Sequence, residues 1–139
     1  MNKLLMTVSV MIFSITLSYA QQADAVIGKY HLPNKLDIEI FEYNKKYFGR
    51  IIALNGYEDG QTTDYKNPNK VKRNDRLIGK VIITNLEYDF EEKKWINGKM
   101  YGPEKGMYFD LKIIEVRQKE IEIQASKYFF RKTAEWDRI

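Results

Sequence analysis

The stretch WINGKMYGPEKGMYFDLKI, residues 95–113, contains two turn signals, Asn97-Gly98 and Pro103-Glu104-Lys105-Gly106, separated only by Lys99-Met100-Tyr101-Gly102. Asn-Gly is a strong hairpin signal. A turn there, however, would leave a strand of about three residues before Pro103, below a useful length. The second signal is followed by clean alternation, with Met107, Phe109, Leu111 and Ile113 on one face. The corner is therefore expected at 103–106, and Gly98 is expected inside a strand, where glycine marks a bulge or a close backbone approach.

Outward from this stretch the same period recurs. No window after residue 20 keeps a 3.6-residue repeat, whereas short β-rich runs alternate apolar and polar residues between turn residues. Strands are expected over 28–32, 36–43, 47–54, 80–88, 95–101, 107–116, 120–130 and 133–138. Residues 55–75 carry Gly, Asn, Asp and Pro without alternation and read as one long loop, a kind of segment that tends to be functional or mobile. Eight strands joined mainly by short turns suit an all-β, antiparallel up-and-down barrel, whose closure removes exposed edges. A β-sandwich is the competing architecture. A barrel of this size either fills itself with side chains or holds one small ligand.

The first residues read as an export leader: Lys3, an uncharged apolar run from Leu4 to Leu17, then Ser18-Tyr19-Ala20 as a small-x-small cleavage site. The run is short of the roughly 20 residues that span a bilayer. The expectation is a cleaved signal peptide at 1–20 and one domain at 21–139, exported to the periplasm or secreted, with no transmembrane anchor after cleavage. Cysteine is absent, so neither a lipoprotein anchor nor a disulfide is available. Two Trp, ten Tyr and seven Phe supply large buried areas instead.

Loss of Lys3 lowers the formal net charge from +4 to +3, too mild for a charge-driven nucleic-acid binder. One segment is locally basic. Residues 64–76 hold Lys66, Lys70, Lys72, Arg73 and Arg76 against Asp64 and Asp75, which reads as a solvated loop or as a contact for anionic lipid or an acidic envelope protein.

The ordered set Gly28-Lys29-Tyr30, Tyr47-Phe48-Gly49-Arg50-Ile51, Asn67-Pro68 with Arg73 and Arg76, Leu77-Ile78-Gly79, Trp95, Gly98, Tyr101, Pro103, Gly106, Tyr108 and Thr133 to Arg138 resembles the bacterial domain of unknown function 2147 family. Three positions depart from it. Tyr30 stands for a tryptophan, Phe48 for a frequent cysteine and Gly102 for an aspartate. The resemblance implies an exported lipocalin-like barrel in which an N-terminal aromatic packs beneath a basic residue of the last strand. Tyr30 with Arg138, or alternatively Arg131, would make that closure, worth about 0.5–2 kcal/mol. Fold by itself does not assign a function.

Catalytic sets are thin. With no thiol and His31 as the only histidine, Cys-His pairs and multi-histidine zinc sites are excluded. The glycines at 98, 102 and 106 lack the ending of a phosphate loop. Asp64, Asn67 and Asn69 miss the spacing of a calcium loop. No cofactor, metal or catalytic residue is expected, and a hydrolase is a distant third reading. For ligand binding the candidates are Arg50, which shares a face with Phe48, Ile52 and Leu54, and Lys127, which shares one with Ile121, Ile123 and Phe129. Aromatic walls from Phe48, Trp95 and Tyr101 complete the set. An inward cation needs a partner, either a ligand carboxylate or an internal acid such as Glu42. A bulge or strand end that lets the charge reach water is the simpler alternative. The leading reading is a non-enzymatic barrel that binds a small amphipathic or hydrophobic molecule. The rival is a filled barrel that contacts an envelope partner through Lys70, Lys72, Arg73 and Arg76 of the 55–76 loop.

Overall fold

A computed structural model describes residues 22–139. The expected signal peptide lies outside the described residues. Eight strands follow a short 3-10 turn, Asp24–Val26: β1 (Gly28–His31), β2 (Asp37–Tyr43), β3 (Lys46–Ala53), β4 (Val81–Asp89), β5 (Lys94–Gly102), β6 (Met107–Val116), β7 (Glu120–Lys127) and β8 (Phe130–Arg138). Every neighbour pairs antiparallel in chain order, and β1 meets β8 to close the barrel.

The alternation of the strands becomes an inside and an outside. Tyr30, Ile38, Ile40, Ile51, Ile83, Leu86, Trp95, Leu111, Ile113, Ile121, Ile123 and Trp136 are buried in one core. The intervening positions carry cross-strand ion pairs, Arg50–Glu39, Lys99–Asp110 and Lys46–Glu87. Apolar side chains inside a charged outer wall are what burial in water favours.

The opening ambiguity resolves on close approach. β5 runs through Asn97-Gly98 without turning, with an irregular register between Trp95 and Gly98 and Asn97 at φ 64°. A Cβ on Gly98 would stand 2.5 Å from Leu86 Cδ2 and 2.8 Å from the Leu111 carbonyl oxygen. Only glycine lets β4, β5 and β6 come together here. Gly106, at φ 62°, completes the 103–106 corner, and its missing Cβ leaves room for the Lys66 carbonyl oxygen.

Two expectations need correction. The seventh strand ends at Lys127 rather than 130, and the eighth starts at Phe130 rather than 133, because Lys127 pairs with Phe130 across a two-residue turn, Tyr128-Phe129. Tyr128 takes φ 53°, unusual for a bulky residue, and no Gly, Asn or Pro announces it. The 55–75 segment is also more ordered than a plain loop. It holds 3-10 turns at Tyr57–Asp59 and Lys70–Lys72 and a bridge between Thr63 and Arg76.

Because the strands alternate in direction, their connections sort to two ends. At one end stand the entry to β1, the turns 44–45, 90–93 and 117–119, and the exit of β8; at the other stand 32–36, 54–80, 103–106 and the 128–129 tip. If Gly98 is the contact point of three strands, Gly98→Ala should lower stability by about 2 kcal/mol or more through overpacking. Thermal unfolding would show this as a lower midpoint, and an unchanged midpoint would contradict it.

Candidate functional site

The first end is closed by the short segment that leads into β1. Tyr30 Oη donates to the Val26 carbonyl (2.7 Å), Tyr47 Oη to Asp24 Oδ1 (2.6 Å), Trp95 Nε1 to the Ala23 carbonyl (2.9 Å) and Arg138 Nη2 to the Ala25 carbonyl (2.7 Å). The Arg138 guanidinium lies 5.4 Å from the centre of the Tyr30 ring. Val26 is fully buried by this arrangement. The 3-10 turn is thus a plug, held by side chains from β1, β3, β5 and β8.

The second end is organised around a buried carboxylate. Asp64 is inaccessible to solvent, and it accepts from Tyr101 Oη (2.6 Å) and Asn67 Nδ2 (2.6 Å) while Lys80 Nζ sits 3.1 Å away. A charge removed from water is tolerated when it is paired and hydrogen-bonded in this way. Tyr57, also fully buried, donates to Glu104 in the 103–106 corner, and Lys66 Nζ reaches the Glu104 carbonyl at 2.9 Å. These bonds fix the 54–80 segment against β5 and the corner. The face it presents outward is basic, with Lys70, Lys72, Arg73 and Arg76 all exposed.

Beside that corner lies an open cleft of about 580 Å³, lined among others by Met107, Phe109, Ala125, Lys127, Phe130 and Lys132. The inner faces of β6, β7 and β8 supply the apolar part. β8 has β7 along its whole length, but it meets β1 only at Arg138 and Asp137, so its first half has a strand on one side only among the described residues. Lys105 and Glu104 stand at the margin. The Lys127 ammonium lies at the strand end and donates to the Tyr108 carbonyl (3.0 Å).

Of the residues proposed from sequence as binding candidates, only Lys127 lines this cleft. Arg50 points outward, where it pairs with Glu39 and covers the Phe41 ring at 4.6 Å. Phe48 is on the same outer face, stacked on Phe41 and edge-on to Tyr43. The inward positions of β3 are instead Tyr47, Gly49 and Ile51. Trp95 does face inward, but at the plugged end, where its indole N–H is committed to Ala23. Tyr101 lies on the outer side of the wall beneath the 54–80 segment, bonded to Asp64. Sequence reasoning passed over Ala125, Phe130 and Lys132. Met107 and Phe109 had been recognised as one face, without the inference that this face lines the cleft. His31, at the margin of the same end, holds Asp37 at 2.5 Å.

Burial is the first cause, and a carboxylate partner the second, that raises the phenol pKa of Tyr47 (Asp24), Tyr57 (Glu104) and Tyr101 (Asp64) above the ordinary value of 10.0. A raised folded value means that the stabilisation is complete below the unfolded phenol pKa, about 10, and is lost as pH rises above it. These three phenols should therefore ionise only as the barrel unfolds. With tyrosinate absorbance and circular dichroism recorded together above about pH 10, the last part of the absorbance rise should coincide with loss of the native dichroism. Ionisation of all phenols while the dichroism stayed native would contradict this.

The comparisons agree with this architecture. The family model described as an uncharacterized protein conserved in bacteria (DUF2147) matches residues 28–138, and the chain belongs to that family. A solved structure of Helicobacter pylori, described as protein HP1028 belonging to the lipocalin family, is similar at a TM-score of 0.70 and 23% identity, with 82% of each chain covered. At that identity the likeness concerns the fold. No curated protein matches the chain at a significant level.

Proposed function

We propose that this DUF2147 family member is an exported, non-enzymatic carrier that takes a small amphipathic molecule with an anionic end into the cleft at the open end of the barrel. The observation that carries the reading is the make-up of the cleft. Met107, Phe109, Ala125 and Phe130 offer apolar surface, and Lys105, Lys127 and Lys132 stand around it. A hydrocarbon portion would lie along the aromatic and aliphatic side chains, and its acid would meet the ammonium groups. The cleft volume of about 580 Å³ falls within the roughly 300–1,000 Å³ usual for small-molecule sites. Export is part of the proposal and rests on the Lys3-to-Ala20 pattern.

A second reading has its own support in the exposed basic stretch around Lys70, Lys72 and Arg73, carried on a segment whose base is anchored by Asp64. It would make the protein an envelope interaction module, with binding that weakens in salt.

An anionic apolar fluorophore, anilinonaphthalene sulfonate, should bind saturably to the native protein. Ala125→Trp should weaken it by filling the cleft, and Lys127→Glu should weaken it roughly ten-fold, about 1.4 kcal/mol. A protein that takes up no fluorophore, or whose uptake ignores both substitutions, would end the carrier reading. Salt-sensitive retention of envelope material, lost when Lys70, Lys72 and Arg73 become serine, would then favour the second.

A further inference from the structure

The β7–β8 tip breaks the usual rules for a turn in a soluble barrel. Tyr128, Phe129 and Phe130 are 90%, 102% and 81% exposed, so three consecutive aromatics stand in solvent at the end of a hairpin. The sequence around them is Lys127-Tyr128-Phe129-Phe130-Arg131-Lys132, with a cation directly before the aromatics and two directly after. Tyr128 also sits in the left-handed region at φ 53°, where glycine or asparagine would be easier. Such a turn retains bulky apolar residues at a strained and solvated position, against what folding alone favours. The apolar surface continues from the tip, since Met107 and Tyr108 on the adjoining strand are 41% and 53% exposed. The same end of the barrel carries Lys105 at the cleft and the exposed Lys70, Lys72 and Arg73 on the 54–80 segment.

We propose that this tip is a membrane-interface anchor, which seats the open end of the barrel on the surface of an anionic lipid bilayer. Aromatic rings between cations suit the boundary layer chemically. The rings enter the region between headgroups and acyl chains, and the lysines and arginine stay at the level of the phosphates. Contact is peripheral. The outer wall bears the Arg50–Glu39, Lys99–Asp110 and Lys46–Glu87 pairs, which a wall facing hydrocarbon would not tolerate. Tyr128 and Phe130 also line the cleft, so docking by the tip would turn the cleft toward the bilayer. The docking itself does not depend on the carrier reading.

The test is co-sedimentation of the processed full chain with vesicles of phosphatidylcholine alone and of phosphatidylcholine with phosphatidylglycerol. Binding should be saturable, should need the anionic lipid and should weaken as salt is raised. Phe129→Ser, at a side chain with no buried surface to lose, should keep the native dichroism and melting point and bind at least about ten-fold more weakly. Neutralising Lys127, Arg131 and Lys132 together to glutamine should cost about a hundred-fold on anionic vesicles, at roughly one kcal/mol per cation. Tyr128→Gly should raise the melting point by relieving the left-handed strain, while weakening vesicle binding. Retention of full binding by Phe129→Ser overturns the proposal, as does absence of binding to either vesicle. Loss of binding only on changing Lys70, Lys72 and Arg73 overturns it as well, by placing the contact on the other segment. So does a concentration-dependent dimer in sedimentation velocity that Phe129→Ser abolishes, since the tip would then meet a second copy. Ala125→Trp separates the two ideas: it should leave vesicle binding intact even where fluorophore uptake is lost.

Discussion

The barrel depends on how its first end is closed. A sheet rolled into a barrel leaves two mouths, and an apolar interior open at both would be wet. Here the chain's own Ala23–Val26 segment is drawn across one mouth by hydrogen bonds from Tyr30, Tyr47, Trp95 and Arg138. Three of these bonds end on main-chain carbonyl oxygens of a short turn that cannot satisfy all its polar groups internally. One interaction therefore does two things: it satisfies the plug and fixes four strands of the barrel relative to one another. The Arg138–Tyr30 contact adds its cation–π share at the seam between the first and last strands.

Closure at one end makes the two halves unlike. Around the plug the interior is filled by Trp95, Trp136, Leu86 and isoleucines buried in one cluster. Toward the other end the inward side chains of β6, β7 and β8 become partly exposed, as at Phe109 and Ala125, and largely exposed at Phe130. The Asp64 network holds the long 54–80 segment against the corner at 103–106, and Leu32, Leu36, Tyr57 and Leu77 are buried at this end, so the opening lies on its β6–β8 side. The chemistry needed to hold an amphipathic molecule, apolar surface beside cations, occurs at that end. The interior is thus buried around the plug and partly exposed along β6, β7 and β8 at the other end.

Strand number, pairing order and the role of Gly98 were legible in the sequence, because alternation and turn chemistry act locally. The placement of Arg50 was not read, although a signal existed. Asn44-Lys45 forms a two-residue turn with Tyr43 opposite Lys46, and the same register puts Glu39 opposite Arg50. The alternation Ile38-Glu39-Ile40 puts Glu39 on the solvent face, and Arg50 opposite it belongs on the same face. Tyr101 is a different case. Its burial comes from a segment folding over the outside of the wall, and nothing in strand alternation reveals that. The Asp64, Asn67 and Asn69 group, weighed as a calcium loop, turns its polar atoms to internal bonds with Tyr101, Val71 and the main chain. The tip at 128–129 was hidden because it uses aromatic residues where turn chemistry predicts glycine or asparagine.

The asymmetry of the interior is the central claim, and amide NMR during titration with a medium-chain fatty acid tests it most directly. Saturable shifts are expected at Met107, Phe109, Ala125, Lys127 and Lys132, with the indole signals of Trp95 and Trp136 unmoved. Shifts centred on Tyr30, Trp95 and Trp136, or no saturable shift anywhere along the inner faces, would contradict it.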